Sequence, residues 1–337
     1  MQTKNQFSLF RRCAVRSVAA MLTACAAAVP VTASAEAFPS RPIHVYVPFA
    51  PGNTLDNALR QVADEFRKNT GQPMIIENRP GGAGVIAAQQ GARAPADGYH
   101  LLLVNTSMLS INPYTFKKKL PYDAEKSFKP VTGFVGSTLV LAANTSVPAN
   151  NLEEFARWAK AQKAPVSYAS FTAGNSSHFA GVILNEKLGL NLIHVPYNGT
   201  PPAVQNLIGG QVQTAFVPLI AVKQHMEAGK VKVLGVSSPK RSALMPGVPT
   251  FAEQGVPEMN IYIWSGLAAP AGTPDDLVNK LSEEINKVLR SREIGAKWRE
   301  MDFEPMPMSP REFSQFVRDE SSRWRAVVEK SGFKVEE

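Results

Sequence analysis

Ile43, Val45 and Val47 alternate with His44 and Tyr46, and Pro48 ends the run because proline has no N–H to give a β-ladder. After a polar turn of Gly52, Asn53 and Thr54, the residues Leu55, Leu59, Val62, Ala63 and Phe66 recur at helical spacing as far as Gly71. A strand that turns directly into a helix commits the chain to α/β architecture. In open α/β sheets ligands bind at such strand ends, where orphan N–H groups and the positive end of the helix dipole face outward. Residues 48–56 therefore carry two readings: an anion site, or a plain helix cap made by Asn53 or Thr54.

The same grammar continues. Residues 74–77 read as a short strand, 78–84 as a glycine-rich loop, 85–92 as a small-residue helix and 101–104 as a strand apolar on both faces. Gly82-Ala83-Gly84-Val85-Ile86-Ala87 has the spacing of a dinucleotide fingerprint, but the next strand ends in Asn105 and Thr106 instead of the acid that would hold a ribose hydroxyl. No cofactor is expected, and the glycines read as a turn with close backbone approach. Thr106, Ser107 and Ser110 cluster hydroxyls at this third strand end.

Residues 131–143 form a long strand containing glycine, a natural crossing between domains, and 153–163 an amphipathic helix begun by Asn150 or Asn151. The strand at 166–169 then runs into Ser170, Gly174, Asn175, Ser176, Ser177 and His178, with a helix expected over 179–188. This repeats the first loop: strand, small polar residues, helix. Hydroxyls and free N–H groups at a helix start suit a carboxylate or phosphate. A hydrolase reading lacks a G-x-S-x-G elbow, and adjacent side chains at a helix start diverge too far to pair a nucleophile with a base. His178 reads as a packed or capping histidine. Strands at 192–197, 212–217 and 231–236, with helices from Pro201 and over 219–228, make a second α/β set. Residues 261–269 cross back, and three helices follow over 275–290, 292–301 and 310–330.

Lys4, Arg11, Arg12 and Arg16 precede an Ala-rich apolar run, and Ala33-Ser34-Ala35 supplies a small-x-small cleavage pattern, so residues 1–35 read as a secretory signal peptide. Leu22-Thr23-Ala24-Cys25 offers a second reading, a lipobox with Cys25 as the lipidated terminus. Four of the 36 basic residues and none of the 28 acids fall in this leader, so half of the formal charge of +8 belongs to it. Beyond it no Lys/Arg stripe with interleaved aromatics marks a nucleic-acid partner. Both cysteines, Cys13 and Cys25, also lie there, which leaves no disulfide, thiolate metal site or cysteine nucleophile in a chain cleaved after Ala35. No later run reaches the ~18 apolar residues a spanning helix needs, so no stable membrane insertion is expected. The remaining length, about 300 residues, exceeds one ordinary core and predicts two domains.

Several short motifs stand in a fixed order: Phe38-Pro39-Ser40-Arg41-Pro42-Ile43, Pro48-Phe49-Ala50-Pro51-Gly52, Glu77-Asn78-Arg79-Pro80-Gly81, Ala96-Asp97-Gly98-Tyr99, Leu120-Pro121-Tyr122-Asp123, Ser167-Tyr168-Ala169-Ser170, His194-Val195-Pro196-Tyr197, Gly209-Gly210-Gln211-Val212 and Ala269-Pro270-Ala271-Gly272-Thr273-Pro274. In this order they resemble the substrate-binding proteins of the tripartite tricarboxylate transporter family, the Bug receptors. The resemblance covers almost the whole chain after the leader. It implies an α/β, type II periplasmic-binding-protein fold, two doubly wound lobes joined by crossing strands with the ligand cleft between them. Lobe 1 is expected at 38–137 plus 261–337 and lobe 2 at 138–260.

The implied function is a periplasmic receptor for a small mono-, di- or tricarboxylate, aromatic acids included. Its implied partners are the membrane subunits of a tripartite transporter, unless the receptor is an orphan or a sensor input; a monomer is expected. The residues implied to line the site are Phe49, Ala50, Pro51, Thr54, Asp56 and Ser107 from lobe 1, and Ser170, Gly174, Asn175, Ser176, Ser177 and His178 from lobe 2. Asp56, an acid in a first helical turn, is expected to orient its loop. Two positions depart from the family pattern. Asn53 replaces a usual second glycine and adds an amide at the pocket mouth. Val217 stands where an aspartate often follows Phe216, which argues for a ligand without an ammonium group. The competing class is an exported hydrolase or oxidoreductase, against which stand the missing nucleophile motif, ribose acid and clustered metal ligands.

Overall fold

The computed structural model describes residues 38–335. The signal peptide, its cleavage near Ala35 and the alternative lipidation of Cys25 lie outside the described residues. The described residues from Arg41 onward pack as one unit.

Strand β1 (Ile43–Val47) leads through the Pro48 loop into helix α1 (Thr54–Thr70), then β2 (Met74–Asn78), α2 (Val85–Arg93) and β3 (His100–Asn105). After a π-turn at Ser107–Ile111 and the short α3 (Asn112–Thr115) comes β4 (Phe128–Asn144), then α4 (Leu152–Ala161), β5 (Ser167–Ser170), α5 (Ser176–Leu188) and β6 (Ile193–Pro196). The chain continues through α6 (Thr200–Ile208), β7 (Thr214–Pro218), α7 (Lys223–Glu227), β8 (Val231–Val236) and β9 (Tyr262–Pro270). It ends with α8 (Asp275–Leu289), α9 (Arg292–Arg299), β10 (Phe303–Pro305) and α10 (Pro310–Ser331).

The strands run in the order β2-β1-β3-β9-β4-β7-β5-β6, with β8 and β10 also paired to β4. β1 is parallel to β2 and β3, and β5 is parallel to β6 and β7, as strand-helix-strand units require. β4 serves both parallel sets: residues 128–138 pair with β9, and residues 139–144 pair with β7 and β8. Gly136 in β4 permits the close approach of Tyr262, since a Cβ there would lie 1.9 Å from the tyrosine ring.

Apolar clusters cover both faces of the sheet, which explains the unbroken hydrophobic runs of its strands. Around the first set pack Tyr46, Leu102, Val104, Trp264 and Phe313. Around the second set Phe155, Tyr168, Phe179, Phe216 and Trp324 fill one cluster, and Val140, Ala169, Ala215, Val217 and Val236 another. Each such large side chain contributes about 1.5 to 3 kcal/mol by leaving water. Glu320 of α10 ties a tryptophan from each side: its Oε2 accepts the indole N–H of Trp264 at 3.2 Å and of Trp324 at 3.1 Å.

Two expectations need correction. Helix α5 begins at Ser176, three residues before the expected start, because Asn175 Oδ1 accepts the N–H groups of Ser177 and His178 and caps it there. The helix expected over 219–228 is a 3-10 turn at Leu219–Ala221 followed by α7, interrupted at Val222, whose φ is −117°. The π-turn and α3 after β3 were not foreseen from the hydroxyl cluster at Ser107. No described helix is long and apolar enough to cross a membrane.

Candidate functional site

The loop after β1 is a type II turn closed by a hydrogen bond from Asn53 N–H to Ala50 O at 3.2 Å. Pro51 supplies the fixed φ of its second position, and Gly52 the positive φ, 82°, of its third. Beneath it the Asp56 carboxylate is fully buried. It accepts Gly52 N–H at 2.9 Å, Arg60 Nε at 3.0 Å and Asn78 Nδ2 at 2.8 Å, while the same Asn78 amide donates to Phe49 O at 2.9 Å. Burial works to raise the Asp56 carboxyl, but the hydrogen bonds from Arg60, Asn78 and Gly52 outweigh it and hold it below the ordinary carboxylate range. Asp56 thus orients the loop from below.

Asn53 Oδ1 accepts Leu55 N–H at 2.9 Å and caps α1. Phe49 is half-buried, whereas Ala50, Pro51, Asn53 and Thr54 are exposed. Neither the Thr54 hydroxyl nor Asn53 Nδ2 has a partner among the described residues.

In the loop after β5, Ser170 and residues 174–178 are buried, Phe171 is half-buried, and Thr172 and Ala173 are exposed. Asn175 Oδ1 accepts Ser177 N–H at 3.0 Å, His178 N–H at 3.2 Å and Ser177 Oγ–H at 2.7 Å. Ser177 Oγ accepts Phe171 N–H at 3.2 Å, and Ser170 Oγ bonds His194 Nε2 at 2.7 Å and donates to Thr172 O at 3.1 Å. Ser170 and Ser177 are therefore spent on holding the loop. Gly174, at φ 72°, donates its N–H to His178 Nδ1 at 3.1 Å, so the neutral imidazole carries its proton on Nε2. Burial and the adjacent His194 ring push His178 down to about 3, and burial pushes His194 down to about 4.

What the loop leaves unspent is a set of donors. Ser176 Oγ, Asn175 Nδ2 and His178 Nε2, with the backbone N–H groups of Asn175 and Ser176, have no partner among the described residues. Ser110 Oγ alone among the described side-chain atoms is both sealed from solvent and unpaired. The three unspent side-chain donors of the loop therefore keep a path to solvent, although Ser176 is only 3% exposed. They sit at the positive end of a 13-residue helix, with no cation among them.

Of the remaining candidates, Ser107 opens the π-turn after β3 and is half-buried. Val217 is fully buried in the apolar cluster with Val140 and Ala215, where its side chain packs the core. No hydrogen bond or ion pair among the described residues joins residues 49–56 to residues 170–178, so each loop is set by its own surroundings. Surface cavities of about 170 and 280 Å³ lie elsewhere, beside Lys117–Lys119 and beside Lys160–Lys163. No cluster of three or more metal-binding side chains occurs among the described residues.

Sequence reasoning missed the contacts of Asn78 and His194. They stand in the motifs Glu77-Asn78-Arg79-Pro80-Gly81 and His194-Val195-Pro196-Tyr197, whose likeness to the family pattern was the available signal.

A family model described as tripartite tricarboxylate transporter family receptor matches residues 58–333, a span beginning just after the first loop. The chain is 31% identical to Protein BugT of Bordetella pertussis over 309 residues, covering 92% of this chain and 95% of that protein. It is similar to the periplasmic binding protein BugD, with TM-score 0.74 and 32% identity over 89% of this chain and 100% of BugD. The R. palustris protein Rpa4515 with adipate gives TM-score 0.78 and 30% identity over 88% and 99% of the two chains. MatC from Rhodopseudomonas palustris with bound malate gives 0.73 and 32% over 86% and 100%. The two parallel sets joined through β4 are the two-lobed α/β fold of these periplasmic binding proteins. With the match spanning most of the sequence, the chain belongs to the family of tripartite tricarboxylate transporter receptors.

Proposed function

We propose that this protein is a periplasmic receptor that captures a small carboxylic acid between its two lobes and delivers it to the membrane subunits of a tripartite tricarboxylate transporter. Lobe 1 comprises residues 38–137 with the C-terminal residues from 261, and lobe 2 residues 138–260. The observation that carries the reading is the unspent donor set at the start of α5: Ser176 Oγ, Asn175 Nδ2, His178 Nε2 and two backbone N–H groups, all neutral. Neutral donors at a helix N-terminus favour an anion without bringing a counter-charge that would also attract bulkier polyanions. The exposed turn at Ala50–Thr54 supplies the opposing jaw, held in shape by Asp56.

Closure of the lobes dries these bonds, and each hydrogen bond to a charged group then contributes about 1.5–3 kcal/mol. Three such bonds with some apolar burial reach the ~8 kcal/mol of a micromolar dissociation constant. Two relatives hold adipate and malate, so dicarboxylates head the ligand class. Export with cleavage after Ala35 places the receptor in the periplasm, as a monomer.

The test is thermal unfolding across malate, adipate, citrate, benzoate, nicotinate and their amides, with product analysis of each mixture. Saturable stabilisation by acids and not by amides, without turnover, is expected. Product formation, or equal stabilisation by the neutral amides, overturns the reading. The mass of the exported protein reports cleavage after Ala35 against lipidation at Cys25.

A further inference from the structure

The end of the chain reaches the second loop. The Phe333 ring stands edge-on to His178, with centroids 4.7 Å apart and planes at 79°, and edge-on to Phe179 at 5.9 Å. A Cβ placed on Gly174 would lie 2.7 Å from Phe333 Cε1. The phenyl ring therefore occupies the space over the one residue of this turn that must adopt a positive φ. Gly174 N–H bonds His178 Nδ1, so the turn and the imidazole move as one piece, and the ring packs on both.

The tail that carries Phe333 is fastened to the segment that follows the π-turn. Val335 N–H donates to Thr115 O at 2.8 Å, and Lys334 Nζ donates to Tyr114 O at 2.6 Å. Phe116 and Val335 form a parallel bridge. Tyr114 to Phe116 follow the π-turn that begins at Ser107. The phenyl wall of the second loop is thus anchored from two sides: at Tyr114–Phe116 after the π-turn, and through α10, which packs on α5 by Trp324 against Phe179 and by the ion pair of Lys330 with Glu186.

We propose that Phe333 is a positioning residue of the receptor site. It makes no bond to the ligand; its ring fixes the Gly174 turn and the His178 imidazole so that Nε2 and the neighbouring donors face the carboxylate. The inference rests on the receptor reading above.

The experiment compares wild type, Phe333→Ala, Phe333→Leu and Phe333→Tyr, measuring calorimetric dissociation constants for a carboxylate that stabilises wild type and His178 ring titration by NMR without ligand. Phe333→Ala is expected to weaken binding tenfold or more, Phe333→Leu less, and Phe333→Tyr to restore near-normal affinity. With its wall removed, the His178 ring gains water and titrates closer to an ordinary histidine, a change that loss of general packing elsewhere would not produce. If Phe333→Ala does not fold, Phe333→Leu carries the same test. Unchanged affinity in Phe333→Leu, or an unmoved His178 titration in both variants, overturns the inference while leaving the receptor reading intact. A wild type that binds no carboxylate overturns the receptor reading and the inference with it.

Discussion

The imidazole rings of His178 and His194 stack face to face, their centroids 3.8 Å apart and their planes within 13° of parallel. Two cations cannot share that contact, and burial already disfavours charge on either ring, so both are neutral in the folded protein. In the unfolded chain each protonates near 6.5. Below that pH the unfolded state binds protons that the folded state refuses, so stability falls with pH. The slope is about 1.4 kcal/mol per pH unit for each histidine. The loss runs from 6.5 down to the folded values of about 4 for His194 and about 3 for His178. Urea denaturation between pH 7 and 5, above the range where carboxylates titrate, is expected to show this slope, and His194→Gln is expected to remove its share. Parallel pH profiles for the two proteins would sink the assignment.

Asp56 acts in the same direction at lower pH. Its folded carboxyl is held below its unfolded value of 3.8, so its contribution is present above that value and is lost as pH falls through the folded one. Replacing it by Asn keeps an acceptor for Gly52 but removes the charge that Arg60 and Asn78 address. Asp56→Asn is expected to lose about 1–3 kcal/mol at pH 7. The gap from wild type narrows as pH falls below 3.8, where the unfolded chain's Asp56 takes up a proton that the folded carboxylate still refuses. A gap independent of pH would show that the charge is not what holds the Phe49 to Asp56 loop.

Ser176 and Ser177 are adjacent and chemically identical, yet the structure gives them different work. Ser177 Oγ sits between Asn175 Oδ1 and Phe171 N–H, whereas Ser176 Oγ has no partner among the described residues. Ser177→Ala is therefore expected to cost about 1 kcal/mol of stability in the absence of ligand. Ser176→Ala is expected to leave the ligand-free melting temperature near wild type and to weaken carboxylate binding by tenfold or more. Calorimetric titration and thermal melts of both variants check the split, and a melting loss in Ser176→Ala with unchanged affinity would reverse it.

That split was not legible in the sequence, although the two loops were. A strand, a small polar run and a helix can be read from apolar periodicity and from the turn residues, because those patterns are local. So could the crossing strand at Phe128–Asn144, whose length and apolar character mark it. Which of several neighbouring donors stays unpaired depends on groups brought from elsewhere. His194 takes up Ser170 across 24 residues, and Asn78 joins Phe49 to Asp56 from the next strand. The role of Val217 fails to show for the same reason: alternation along β7 does not say which face meets Val140, and only the assembled sheet buries it. Phe333 reaches Gly174 from the far end of the chain, a contact that no local pattern encodes.

Asn53 separates a capping role from a ligand role within one side chain. Its Oδ1 is occupied by Leu55 N–H, but its Nδ2 has no partner among the described residues and lies on an exposed turn beside Thr54. Glycine is nearly as good an N-cap as asparagine, whereas alanine loses about 1 kcal/mol. Asn53→Gly is therefore expected to melt within a degree or two of wild type, and Asn53→Ala to melt lower. If this Nδ2 reaches the bound acid, both variants lose the same affinity despite their different stabilities. The loss should be largest for acids with a second polar group, which the amide can meet, and smallest for monocarboxylates. Dissociation constants for malate, adipate and benzoate with all three proteins decide it: affinities that track melting temperature would make Asn53 a cap and nothing more.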